Sequence, residues 1–154
     1  MLDIDDIFLL KFRCFSNNMS KIILSFKLRG ILPDDDRIDK MVGIPATKIF
    51  RKGDLINLKT QKIQHEDLWI LNLTKILDDN EATESEINEQ ILVGAKILEK
   101  IAPNINKISS DEFTAELYVS NVREEAQGGF TLPLKLIHAA AIARLPIRIS
   151  ILVE

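Results

Sequence analysis

The chain has little of what usually marks a catalytic, secreted or metal-dependent protein. It holds one cysteine, Cys14, two histidines, His65 and His138, and one tryptophan, Trp69, in 154 residues. A single thiol cannot close an internal disulfide, so the fold does not depend on an oxidising compartment. Neither histidine stands at ligand spacing to the other or to Cys14, which leaves a zinc site without donors. There is no Gly-x-Ser-x-Gly elbow, no P-loop and no Gly-x-Gly-x-x-Gly fingerprint. No apolar stretch approaches the roughly 18 residues that a membrane helix needs. The N-terminus reads Leu2-Asp3-Ile4-Asp5-Asp6, acidic where a signal peptide is basic, and its apolar piece from Ile7 to Leu10 is short and followed by Lys11 and Arg13. These absences point to a cytoplasmic protein with no cofactor, no metal and no catalytic constellation.

The charge balance is also short of cations. Net charge is −3 and the pI about 5.5. Nucleic-acid binders carry a basic footprint, so this balance argues against that role, as the missing apolar span argues against a membrane, and it suits capture of a basic protein. What is present is an ordinary globular composition, 46% apolar and 28% charged, in a length that makes one domain with a sizeable core. Met19-Ser20-Lys21 reads as a start directly before the first clear strand. Residues 1–18 are therefore read as an N-terminal extension, with an authentic edge strand or short helix as the equal alternative, and 19–154 as a single α+β domain.

Lys21 to Arg29 alternates, with Ile22, Leu24, Phe26 and Leu28 on one side, which is the pattern of a half-buried strand. Pro33-Asp34-Asp35-Asp36 opens a short helix whose aspartates cap free amides and oppose the helix dipole. Its stripe is Ile38, Met41 and Val42, with Gly43 as a left-handed cap and Pro45 preventing resumption. Ala46 to Arg51 is a second strand, Leu55 to Glu66 a loop with an irregular strand at its start, and Leu68 to Leu73 a third strand with Trp69, Leu71 and Leu73 on one face. Thr83 with Glu86 makes a capping box for a long helix carrying Ile87, Ile91, Ala95, Leu98 and Ala102, ended by Pro103. Asp111 to Ser120 alternates as a strand, and Asn121 to Gly129 is a polar loop. A third helix follows Pro133, with Leu134, Ile137, Ala141 and Leu145 inward. Pro146 closes it before a last strand, Ile147 to Val153. Helices of this length need a sheet face to cover, so the order predicts a two-layer α/β sandwich, ferredoxin-like in its βαββαβ order with an added C-terminal αβ.

Two short motifs stand out. Gly43 to Asp54, GIPATKIFRKGD, combines a helix stop, an extended segment and a Lys-Gly-Asp turn; Gly128 to Pro133, GGFTLP, precedes the last helix. Taken in order, Pro33, Gly43, Pro45, Thr47, Phe50, Lys52, Gly53, Asp54, Trp69, Gly128, Gly129, Phe130 and Leu132 resemble a bacterial family known as domain of unknown function 4279. The resemblance runs over roughly residues 20 to 153. It implies a small bacterial cytoplasmic α+β domain, with a loose association to the immunity proteins that neutralise secreted toxins, and it supplies no catalytic residues. The chain departs from the pattern in its N-terminal extension and in the long polar segment between Asp54 and Trp69.

The residues therefore point to a non-catalytic binding domain for another protein, a basic protein or a toxin, with monomer and homodimer both open. The candidate binding residues are Thr47, Arg51, Lys52, Gly53, Asp54, Trp69, Gly128 and Gly129. The alternative is a small-molecule or anion site, in which Lys52, Gly53 and the Gly128-Gly129 amides meet a phosphate; an unrecognised hydrolase ranks third. For each residue a plainer role competes. Lys52-Gly53-Asp54 can be a connecting turn, Gly128-Gly129 a loop before a helix, and Trp69 a core side chain with Leu71 and Leu73. Asp34 to Asp36 with Asp39, and Asp78 to Glu81, read as a helix cap and a solvated loop rather than cation sites.

Overall fold

The computed structural model describes residues 21–74, 83–108, 111–123 and 130–153. Expectations that fall on residues 1–18, on Asp78 to Glu81 and on Gly128 and Gly129 lie outside the described residues. The elements are β1 (Lys21–Gly30), α1 (Asp35–Val42), β2 (Lys48–Phe50), β3 (Leu55–Asn57), β4 (Lys62–Ile63), β5 (Asp67–Asn72), α2 (Glu84–Ile105), β6 (Phe113–Arg123), α3 (Leu134–Ile142) and β7 (Ile147–Val153). This is a mixed α+β fold with a five-stranded sheet in the order β2-β5-β1-β6-β7 and a separate two-stranded hairpin, β3-β4. Neighbours in the sheet are antiparallel except β6 and β7, which run parallel.

Alternation along the strands divides the sheet into two faces. Leu24, Phe26 and Leu28 of β1 stand level with Leu71 and Trp69 of β5 and with Leu117 and Val119 of β6. All are buried, and they share one core with Ile38 and Val42 of α1, Ile91, Ala95 and Leu98 of α2, and Leu136, Ala139 and Ala140 of α3. The three helices thus cover one face. Their ends are tied together by two asparagines just inside and just past the end of α2. Asn104 Nδ2 donates to the Val42 carbonyl (3.0 Å) and Asn106 Nδ2 to the Ile142 carbonyl (2.9 Å). Carbonyls at the ends of both short helices, which the helices themselves leave unpaired, are satisfied in this way.

Local signals explain most element ends. Gly43 ends α1 at φ 89°, donating to the Asp39 carbonyl, and the Thr83–Glu86 capping box opens α2 as its spacing predicts. Four expectations need correction. Asp34 stands at the N-cap of α1 but makes no side-chain cap bond, and Asp35 is drawn away to Arg51. Pro103 does not end α2. It lies in the last turn on the exposed side, where water can take the bond its missing N–H gives up.

Strand β6 runs on through Arg123, past the polar residues that suggest a loop after Ser120, because β1 and β7 both pair with that stretch. Asn121 is consequently fully buried on the covered side of the sheet. Helix α3 faces the other way from its predicted stripe. Leu136, Ala139 and Ala140 are inward, whereas Leu134, Ile137 and Ala141 are exposed. Nearly every position of LKLIHAAAI is apolar, so periodicity cannot choose a face. The choice falls to the small alanines, which permit close approach to α2.

Candidate functional site

The stretch from Arg51 to Asp54 is a tight turn closed on itself. The Asp54 N–H donates to the Arg51 carbonyl (3.0 Å), while the Arg51 N–H donates back to Asp54 Oδ2 (2.7 Å). Gly53, at φ 95° with open space where a Cβ would stand, supplies the left-handed position such a turn requires.

Beneath the turn, Arg51 ties three segments together. Its Nε donates to Asp35 Oδ1 (3.2 Å), and its Nη1 to the Leu32 carbonyl (3.2 Å) and Asp67 Oδ2 (3.2 Å). Its Nη2 donates to the Pro33 carbonyl (2.7 Å) and to Asp35. A guanidinium has five N–H groups, and these bonds occupy all of them. The hydrogen-bonded Asp35 carboxylate holds Arg51 above its usual pKa against the opposing effect of burial.

Asp67 faces the same cation. Burial pushes its carboxyl up, but the N–H groups of Lys52 and Leu32 and the Arg51 charge outweigh it, so Asp67 titrates below the usual range. Arg51 is therefore spent on joining the β1–α1 loop, the turn and the start of β5. Lys52 differs. Its backbone N–H is used by Asp67, but its side chain is exposed, with no ion pair among the described residues.

Above this clamp the chain rises into the β3-β4 hairpin, where composition alone suggested little more than a loop. Residues 52–63 are all exposed. Asn57 Oδ1 accepts the N–H groups of Lys59 (2.9 Å) and Thr60 (3.1 Å), and Gln61 takes the left-handed conformation that closes the tip. The two ends are joined by the Gln64 N–H to the Asp54 carbonyl (2.8 Å) and the Gly53 N–H to the Gln64 carbonyl (2.9 Å). The hairpin exposes Leu55 (48%), Ile56 (42%), Leu58 (78%) and Ile63 (48%), interleaved with Lys52, Lys59 and Lys62. An irregular apolar spacing that serves no core is the signal that could have marked this arm.

The remaining predicted residues separate. Trp69 is fully buried, edge-on to Phe26 with ring centroids 5.7 Å apart, and its Nε1 donates to Asp39 Oδ1 (2.7 Å). It has the plainer, core role. Thr47 lies beyond the opposite end of β2 from the turn, holding β5 through its Oγ1, which accepts the Asn72 N–H (2.9 Å). There it helps line a groove of about 760 Å³ with Asn72, Leu73, Thr74, Gln90, Val93 and Ile97. Gly128 and Gly129 lie outside the described residues, so the pairing with Lys52 that an anion site needs is not described.

The open face of the sheet holds a second charged cluster. Glu116 accepts from Arg29 (3.1 Å) and from Arg148 (3.0 Å), and Lys27 Nζ sits 3.4 Å from the centre of the Tyr118 ring. Among the described residues, no three acidic, histidine or cysteine side chains converge to hold a metal, and no helix is long and apolar enough to cross a membrane.

Residues 20–154 match the family described as Domain of unknown function (DUF4279), and the chain belongs to that family. No curated protein and no solved structure matches the chain.

Proposed function

We propose that this member of a family of unknown function is a non-catalytic binding domain that recognises another protein through the β3-β4 arm. The observation that carries the reading is the arm itself. Four large apolar side chains are held in water on a hairpin whose base is fixed by the Arg51 clamp. An apolar cluster ringed by lysines is the anatomy of an interface core and rim, and a rigid base lowers the entropy lost on docking. The arm also falls in the segment between Asp54 and Trp69 where this chain departs from the family pattern, which is where partner choice would vary.

The arm carries three lysines against one aspartate, so it favours an acidic patch on the partner. The net charge of −3 favours a basic protein, a toxin in the immunity reading, meeting some other part of the surface. With this goes the reading of the domain as bacterial and cytoplasmic, and of its core as a ferredoxin-like βαββαβ unit extended by α3 and β7.

The test is capture of a partner from host lysate by tagged full-length protein, repeated with Leu58→Asp. A stoichiometric partner lost on that substitution, with the melting temperature unchanged, supports the arm. A partner retained at full strength by Leu58→Asp, or no partner at all, defeats it.

A second reading has its own observation. The groove at Thr47 joins the apolar walls of Leu73, Val93 and Ile97 to the amides of Asn72 and Gln90, a composition suited to a small ligand with an apolar body and a polar end. A thermal shift in a metabolite screen that Gln90→Ala and Val93→Trp both abolish would favour this reading; a shift abolished only by Lys52→Ala would move it back to the turn.

A further inference from the structure

Among the described residues, the sheet ends on one side in a strand that lacks the usual protections of an edge. Exposed edges are normally kept short, charged, bulged or interrupted by proline, because their free N–H and C=O groups template further pairing. The opposite edge, β2, follows the rule, with three residues and an exposed lysine, Lys48. β7 does not. It runs seven residues without proline or bulge, and Ile149 (49%), Ile151 (52%), Leu152 (52%) and Val153 (54%) are exposed.

The ladder to β6 fixes which groups are free. The Leu117 N–H donates to the Pro146 carbonyl (3.0 Å), and Leu117 is level with Ile147. In a parallel ladder the bonds use alternate residues of a strand. Arg148, Ser150 and Leu152 therefore bond toward β6, and the N–H and C=O groups of Ile147, Ile149, Ile151 and Val153 point out from the edge.

We infer that β7 pairs antiparallel with β7 of a second copy of this chain, about a twofold axis at Ser150, to form one continuous sheet through both molecules. The strand is close to a palindrome, Ile-Arg-Ile-Ser-Ile-Leu-Val. An axis at Ser150 is the one that overlaps the whole strand. It sets Ile149 opposite Ile151 and Ile147 opposite Val153, the residues whose backbone groups are free, so both hydrogen bonds of each pair can form. All of these side chains are β-branched and lie on one side of the sheet, where they meet across the axis and shed water. Arg148 falls opposite Leu152 rather than opposite its own copy, so no like charges face each other, and it keeps its bond to Glu116. Ser150 meets Ser150 at a close, non-hydrogen-bonded position, where a small side chain fits. An isologous contact of this kind closes on itself and does not propagate.

Sedimentation equilibrium on the full chain tests the pairing. The wild type is expected at twice the 17.5 kDa chain mass, and Ile151→Pro at the chain mass. That proline removes only an outward N–H, so it should fold, whereas Leu152→Pro would break the ladder to β6. Ser150→Cys, in a Cys14→Ser background, is expected to form an intermolecular disulfide on mild oxidation, because the two positions approach within disulfide range across the axis. The cysteine variant decides the matter if Ile151→Pro does not fold. A wild type that stays monomeric at its highest soluble concentration, a dimer that survives Ile151→Pro, or a Ser150→Cys variant that does not cross-link overturns the inference.

Discussion

The two faces of the sheet solve the same problem, that of filling the space between neighbouring strands, with different chemistry. On the covered face β1 presents Leu24, Phe26 and Leu28, and the helices close over them. A polar bond at the edge of this core runs from the Trp69 indole to Asp39, whose Oδ1 also accepts the Ala46 N–H (3.1 Å). On the open face the same strand presents Ser25, Lys27 and Arg29, and the space is filled by an ion network around Glu116 and by the Lys27 ammonium set over the Tyr118 ring. The covered face excludes water and gains from it. The open face leaves its guanidiniums partly in water, with 30% of the Arg29 side chain and 58% of Arg148 exposed, so its ion pairs are weakened by screening. Apolar burial, then, holds the sheet to its helices, and the open face contributes registry and charge.

The largest test of this contrast is Trp69→Ala. Removing a fully buried indole leaves a cavity under α1 and takes one of two donors from Asp39, and the expected loss is about 3–5 kcal/mol in urea unfolding. Trp69→Phe sharpens the result, because it keeps an aromatic edge against Phe26 and loses the bond to Asp39. It should cost roughly 1–3 kcal/mol. Equal losses from the two variants would show that the hydrogen bond, rather than packing, governs this site.

The covered face has a flaw. Asn121 is fully buried in the core, and neither its Oδ1 nor its Nδ2 has a hydrogen-bond partner among the described residues. An unsatisfied buried amide costs about 1–3 kcal/mol, so Asn121→Leu, which has the same branching and is apolar though somewhat bulkier, should raise stability by roughly 1 kcal/mol. A loss in the same unfolding experiment would mean that the amide is satisfied in solution.

Asn121 also shows where the sequence is legible and where it is not. Elements that carry their own signal are readable: the alternation of β1, the Gly43 stop, the Thr83–Glu86 box, and the face shared by Trp69, Leu71 and Leu73. Elements settled by distant partners are not. Asn121 to Arg123 looks like loop, and only pairing with β1 and β7 makes it strand. The face of α3 is set by α2, since its own residues are apolar all round. The turn at Arg51 is visible in Lys-Gly-Asp, but the role of Arg51 depends on Asp35 and Asp67, both sixteen positions away. The β3-β4 arm is the least readable, because its apolar residues fit neither period and serve no core.

The clamp below that arm gives a pH test of intermediate size. The Asp67 carboxyl titrates below its usual range in the folded state, as burial is outweighed by its N–H donors and Arg51. A depressed carboxyl stabilises the fold at pH values above its unfolded-state pKa, and that contribution is lost as pH falls through the folded value. The wild type should therefore lose stability through the acid range, and Asp67→Asn should start lower at neutral pH and fall less steeply in thermal melts. An unchanged acid slope would remove Asp67 from the clamp's energetics.

The smallest expected effect lies on the open face and has the opposite sign. Burial first, and then Arg29, hold Lys27 below the usual lysine pKa, with Glu116 opposing them and Arg148 adding to them. A lysine with a lowered folded pKa carries its full cost while both states are protonated. That cost is relieved as pH rises through the folded value, so stability grows until the unfolded lysine also loses its proton. An NMR titration of the Lys27 side chain should place its midpoint below the usual lysine range, and Glu116→Gln should lower it further by removing the one opposing charge. If Glu116→Gln leaves the midpoint where it was, water screens the open face completely, and its ion network does nothing beyond filling space.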